Sequence, residues 1–341
     1  MSAGERRTGK DGGAGKDGVA VATWLFICAA FTFATVVVGG ITRLTESGLS
    51  IVEWQPLIGT LPPLSQADWE ALFAKYRETP QFAKVFSEIG LEGFKGLFWW
   101  EYFHRLLGRV IGLVFLLPFL YFLFKKRLSR PLALKLAGLL VLGGVQGALG
   151  WYMVQSGLLD DPRVSHFRLT AHLGLALLIF ALELWIAFDL LKPSENETRG
   201  RLPLIVLGLV YLMALSGGLV AGLRAGHAYN SFPLMNGHLV PPEAFMLEPW
   251  WQNFFWNVAT VQLLHRAFFW LLLVLIPVLW WQARRTPAKI AAHHLLAMFL
   301  IQAAIGISTL LLAVPIPLAA AHQAGAVLLL AAAIWTARAP A

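Results

Sequence analysis

Cysteine is all but missing from this chain: Cys28 stands alone, within the first apolar run. A single thiol closes no disulfide inside the chain, and it reads as a buried packing residue rather than a thiolate metal site. Charge is scarce as well. Asp, Glu, Lys and Arg make up 13% of the residues, and the acidic ones number only 19. A soluble domain needs far more than that to cover its surface. No apolar run carries an Asp-rich motif that would hold a diphosphate through magnesium, which argues against prenyl transfer. The first 18 residues, MSAGERRTGKDGGAGKDG, lack the apolar core of a signal peptide and the Arg- and Ser-rich character of a transit peptide. Residues 1–20 therefore read as a disordered tail.

Hydrocarbon takes the place of charge. Of 341 residues, 57% are hydrophobic, with 14 Trp and 23 Phe. Eight apolar runs lie at about 21–42, 99–124, 132–155, 168–190, 203–223, 255–282, 289–313 and 318–337, each near the length that spans a bilayer. Backbone groups in lipid must be satisfied within the segment, so each run is expected to be helical. The class is an all-α integral membrane protein. The net charge of +8 gathers on one side: Arg6, Arg7, Lys10 and Lys16, then Lys125 to Arg127, Arg130 and Lys135, then Lys192, Arg199 and Arg201, then Arg284, Arg285 and Lys289. This is the positive-inside pattern. It puts both termini in the cytoplasm and the connections at about 43–98 and 224–254 outside. Anionic headgroups account for the basic excess without nucleic acid.

The chain repeats itself. Gly39-Gly40-Ile41, with a long connection ending in Leu61-Pro62-Pro63, returns as Gly217-Gly218-Leu219, with a connection ending in Val240-Pro241-Pro242. FWWEYFHR at 98–105 matches FWNVATVQLLHR at 255–266, LGGVQGALG at 142–150 is echoed by LIQAAIGIS at 300–308, and LTAHLG at 169–174 parallels AAAHQAG at 319–325. Two tandem four-helix bundles follow, at 21–195 and 196–341. An even number of spans per half gives both the same orientation, so they are related by a parallel pseudo-two-fold repeat. The small residues Gly143, Gly144, Gly147, Gly150, Ala303, Ala304 and Gly306 suit close helix packing, and would also suit a flat macrocycle.

His104, His172, His265 and His322 fall at matched places in this repeat. Each lies in the first turns of an even-numbered span, on the outer side. An imidazole in hydrocarbon needs a partner. Two per half suit bis-imidazole ligation of haem iron, whereas nonhaem iron or copper asks for more nitrogen or carboxylate ligands. The plainer alternative is four hydrogen-bonded packing residues. With all four on one side, the chain is poorly built to carry electrons across the bilayer. Arg105 and Arg266 follow the first histidine of each pair; they would hold haem propionates bidentately or snorkel to the interface. The repeat breaks one turn before His104: Glu101 there corresponds to Gln262. A carboxylate can move protons or stabilise a cation, and an amide cannot titrate. The N-terminal half thus looks catalytic and the C-terminal half looks like a binding or electron-relay site. Otherwise Glu101 stands in interfacial water or pairs with Arg105.

On GGITRLTESGLS at 39–50, EYFHRLLGR at 101–109, His172 in LTAHLG, LLHR at 263–266 and AHQ at 321–323, the chain resembles the heme A synthase family over about 20–337. The resemblance implies an oxidoreductase of the bacterial inner membrane that oxidises the C8 methyl of heme O to a formyl group, giving heme A for terminal oxidases. It implies a heme b cofactor ligated by His265 and His322, with Arg266 at the same site. Substrate heme O would lie between His104 and His172, with Arg105 beside it and Glu101 as the catalytic carboxylate. All four histidines would then be iron ligands. A heme O synthase and an electron-transfer partner are implied, and a homo-oligomer is left open. Many members carry cysteine pairs in the outer loops. This chain has none, which is similar to the alphaproteobacterial and mitochondrial-type subgroup and excludes a thiol relay. Trp54, Trp69 and Phe73 would cover the substrate's isoprenoid tail or rest on the membrane interface. Two other classes stay open on the residues alone: a di-heme b-type electron carrier, and a haem transporter or chaperone.

Overall fold

The computed structural model describes residues 15–53, 58–158, 162–191 and 200–339. Its helices are α1 (Lys16–Leu44), α2 (Gln66–Arg77), α3 (Pro80–Lys84), α4 (Leu91–Phe124), α5 (Arg130–Gln155), α6 (His166–Leu191), α7 (Arg201–Gly222), α8 (Asn253–Trp256), α9 (Val258–Ala283), α10 (Lys289–Leu311) and α11 (Ile316–Arg338). Among the described residues there is no strand beyond an isolated bridge between Met235 and His238. Eight helices, α1, α4, α5, α6, α7, α9, α10 and α11, are long and apolar enough to cross a membrane. The chain is a multi-pass membrane protein.

Three boundaries differ from the sequence expectation, each for a local reason. Helix α1 begins at Lys16, inside the stretch expected as tail; residues 1–14 lie outside the described residues. Helix α4 starts about two turns earlier than its apolar run, at Leu91. Its extension buries Phe94 and Phe98 against Trp69, Phe73 and Tyr76 of α2. His104 consequently lies deep within α4 rather than in its first turns. Helix α9 starts at Val258 because Asn257 caps it, its side chain accepting from the Thr260 N–H at 3.0 Å.

The connection before α4 is itself helical. Ser65 and Asp68 form a reciprocal capping box at the start of α2. Thr79 caps α3, with Pro80 in its first turn. Trp69 and Phe73 pack inside this aromatic cluster; Trp54 lies outside the described residues.

Two four-helix groups follow from the packing. Helices α1, α4, α5 and α6 form a square in which α1 and α5 each touch both α4 and α6. Helices α7, α9, α10 and α11 form a second, in which α7 and α10 each touch both α9 and α11. The histidine-bearing helices therefore stand at diagonal corners. The squares join through α1, α6, α7 and α11, around Leu177, Phe180, Val210, Leu330 and Ile334. Buried Cys28 lies one turn before Thr32 and packs inside the first square, in a cluster with Phe115, Leu136 and Ile179. Thr32 Oγ1 donates to the buried Glu183 carboxyl of α6 at 3.0 Å. At the matched positions of the second square stand Val210 and Ala333.

Candidate functional site

Each of the four histidines is pressed against a glycine of the neighbouring helix. A Cβ built on Gly39 of α1 would meet His104 Cε1 at 2.6 Å, and one on Gly150 of α5 would meet His172 Cε1 at 2.8 Å. In the second square, a Cβ on Gly306 of α10 would meet His322 Cε1 at 2.5 Å, and one on Gly217 of α7 would meet His265 Cε1 at 3.4 Å. Real Cβ atoms do not approach as closely as Gly39, Gly150 and Gly306 would require, whereas the Gly217 separation is an ordinary contact. The glycines thus make room for the Cε1 edge of each imidazole at the helix contact. Gly143, Gly144 and Gly147 have no such neighbour, so among the glycines of the expected small-residue stretches Gly150 and Gly306 serve a close approach.

The histidines pair as the repeat suggests. His104 and His172 lie near enough to act on each other electrostatically, as do His265 and His322. Backbone anchoring recurs as well. Gln146 Nε2 donates to the His172 carbonyl at 3.0 Å, and Gln302 Nε2 to the His322 carbonyl at 2.8 Å. Among the described residues no cluster of three or more His, Cys, Asp or Glu side chains gathers to bind a bare metal ion. Two imidazoles per square, on diagonal helices and packed against glycines, are a donor set that fits haem iron.

The pairs differ in how their rings are held. His265 Nδ1 is 2.8 Å from Ser216 Oγ, and His322 Nδ1 is 3.0 Å from Gln302 Nε2. His104 Nδ1 and His172 Nδ1 are buried with no hydrogen-bond partner.

The carboxylate before His104 is also built differently from its counterpart. Glu101 is 2% exposed. Ser50 Oγ and the Ile51 N–H donate to its Oε2 at 2.7 and 2.8 Å. Arg105 Nε and Nη2 donate to its Oε1 at 3.1 and 2.6 Å. Of the two expectations for an ordinary role, interfacial water is ruled out by this burial, and pairing with Arg105 is observed. Gln262 instead donates to the Ala225 carbonyl at 3.0 Å. The arginines share one task in both halves: they hold down the long connections. Arg105 donates to the carbonyls of Ile51 and Glu53, and Arg266 to those of Tyr229, Pro233 and Leu234.

The stretch GGITRLTESGLS organises this region residue by residue. Gly39 receives His104, and Gly40 lies against Gln323, next to His322. Thr42 Oγ1 donates to the Trp100 carbonyl at 3.1 Å. Arg43 donates to the Ala221 carbonyl of α7 at 3.2 Å, and Glu46 pairs with Arg224. Ser50 reaches Glu101. Sequence reasoning missed the roles of Ser50, Ser216, Glu183 and Thr32. A charged residue in the apolar run of α6 was the available signal for Glu183; Ser216 had none, since its partner lies on another helix.

Known proteins resemble this chain over nearly its whole length. A family model described as "Cytochrome oxidase assembly protein" matches residues 22–334. A heme A synthase of Nitrosospira multiformis is 60% identical over 326 residues, covering 92% of each chain. Those of Nitrosomonas eutropha and Parvibaculum lavamentivorans are 54% and 48% identical, each over 93% of both chains.

Proposed function

The chain belongs to the heme A synthase family of cytochrome oxidase assembly proteins, and on that footing we propose that it is an oxidoreductase converting heme O to heme A. The reaction takes the C8 methyl and one water to a formyl group, four protons and four electrons, through an alcohol and a gem-diol that loses water. The division of labour we propose places substrate in the N-terminal half, 21–195, and heme b in the C-terminal half, 196–341, the two being tandem four-helix bundles. The observation that carries it is the buried, four-donor Glu101 carboxylate one turn from His104, where the other half has an amide.

On this reading His104 and His172 position the substrate iron. The Glu101 carboxylate stabilises positive charge developing at the ring methyl and accepts a proton as the C–H bond is broken. Ser50, Ile51 and Arg105 keep that carboxylate aimed and exclude bulk water. His265 and His322 would hold heme b, which would supply one-electron chemistry. Arg105 and Arg266 set positive charge at the mouths of the two sites, where propionates would lie. The membrane is the bacterial inner membrane, with both termini cytoplasmic and the haem sites near the periplasmic face. A heme O synthase would deliver substrate, and a separate redox partner would take the electrons.

Pigment extraction tests the proposal. The protein is purified from cells supplying heme O, and its haems are separated and weighed by mass spectrometry. Heme A or its hydroxylated precursor is the expected result. Heme O bound but unchanged, with redox partners present, would instead support a transporter or a simple electron carrier.

A further inference from the structure

The two haem-type sites differ at a residue that touches neither iron position. Ser216 on α7 places its Oγ 2.8 Å from His265 Nδ1, and the same hydroxyl donates to the Met213 carbonyl at 2.7 Å. Its single hydrogen is committed to that carbonyl, so its oxygen is left to accept. The ring must then carry its proton on Nδ1, which leaves the Nε2 lone pair free for iron. At the matched position beside His104 stands Val38, and no side chain bonds His104 Nδ1. The carbonyl matching that of Met213, Thr35, acts on His104 without a hydroxyl between them.

We infer that Ser216 is a positioning residue that makes the C-terminal site a permanent haem site, and that Val38 leaves the N-terminal site able to exchange its haem. The inference rests on the proposed function for the identity of the two haems. The physical reason is general: a second hydrogen bond fixes both tautomer and ring orientation of a ligating histidine and raises its donor strength. A site that must release a product each cycle gains nothing from that. A site that keeps its cofactor through many cycles does. The N-terminal ring is held instead by Gly39 packing and the Thr35 carbonyl, with no side-chain hydroxyl on its Nδ1.

Three variants of the full-length protein test this in detergent, with iron protoporphyrin IX as the probe. Ser216→Val copies the N-terminal half. It is expected to bind heme b about 10–100-fold more weakly. The haem that remains should show a higher reduction potential, because the imidazole donates less strongly once its Nδ1–H loses an acceptor. Ser216→Thr keeps a hydroxyl and should restore both properties. Val38→Ser should raise the haem-to-protein ratio, by giving His104 the bond it lacks. Unchanged affinity and potential in Ser216→Val would overturn the inference. So would Ser216→Thr failing as fully as Ser216→Val while both retain wild-type helix content and elution, and so would an unchanged haem ratio in Val38→Ser. None of these readouts needs turnover. A wild-type protein that made no heme A would therefore refute the proposed function and leave this test intact.

Discussion

Glu46 and Arg224 stand at matched places, each just beyond the end of the helix that carries a Gly-Gly pair, and they form an ion pair with each other. Both adopt left-handed backbone, with φ of 57° and 53°. Two residues at equivalent positions meet only where the relating axis passes between them. The pair therefore marks the join between the two squares at the long-connection end. It continues into the loop structure, since the Glu46 carbonyl accepts from Gln81 Nε2 at 2.8 Å and Gln81 Oε1 accepts from the Tyr76 hydroxyl at 3.0 Å.

Reversing one charge of that pair, as Glu46→Arg, should destabilise the protein, and the double reversal Glu46→Arg with Arg224→Glu should recover most of the loss. The pair is partly exposed, so the coupling is modest, about 0.2–1 kcal/mol. Thermal unfolding in detergent across the double-mutant cycle reads it directly. Strict additivity would show that the two side chains do not interact in solution.

The glycine contacts make a graded prediction. Gly39→Ala, Gly150→Ala and Gly306→Ala force a methyl into an imidazole, because the Cβ separations are 2.6, 2.8 and 2.5 Å. Overpacking of this kind costs roughly 1–3 kcal/mol, and here it turns the ligand ring as well. Gly217→Ala meets His265 at 3.4 Å, an ordinary contact. Haem content measured by pyridine hemochromogen should fall in the first three and hold in the fourth. Equal loss in all four would mean that something other than ring contact decides the outcome.

Glu183 and Thr32 tie α6 to α1 within the membrane, where the matched positions of the second square are Ala333 and Val210. Glu183→Gln keeps an acceptor for Thr32 and should leave the melting temperature nearly unchanged. Glu183→Ala leaves a buried hydroxyl without its partner, at a cost of about 1 kcal/mol in a membrane interior. A Thr32→Val change made together with Glu183→Ala should recover part of that, since it reproduces the apolar arrangement opposite. If Glu183→Gln melts as early as Glu183→Ala, the hydrogen bond is not what the carboxyl provides.

Much of this architecture is legible in the sequence because the membrane imposes it. A bilayer fixes segment length and forbids unsatisfied backbone, so the eight apolar runs become eight helices long and apolar enough to span, with ends close to those expected apart from the starts of α1 and α4. The histidines and Glu101 stand out because a polar group in such a run has to be accounted for. What escapes the sequence depends on partners in other segments. The outward extension of α4 is held by aromatic residues of α2, and neither stretch looks like a span. The Ser65–Asp68 capping box and the Thr79-Pro80 start of α3 were readable signals inside a connection expected as plain loop. The bonds from Arg105 and Arg266 to backbone carbonyls of the long connections likewise depend on those connections folding back. Ser216 gives no sign of its role until α7 and α9 are packed together.

The most direct test of the central claim separates the two halves chemically. Glu101→Gln is purified beside the wild type, and the heme b content and the heme A formed from supplied heme O are measured on the same samples. The account predicts that the variant keeps its heme b, because His265, His322 and their partners are untouched, yet forms heme A at least about 100-fold more slowly. A Glu101→Gln protein that retains heme b and makes heme A at the wild-type rate would contradict it.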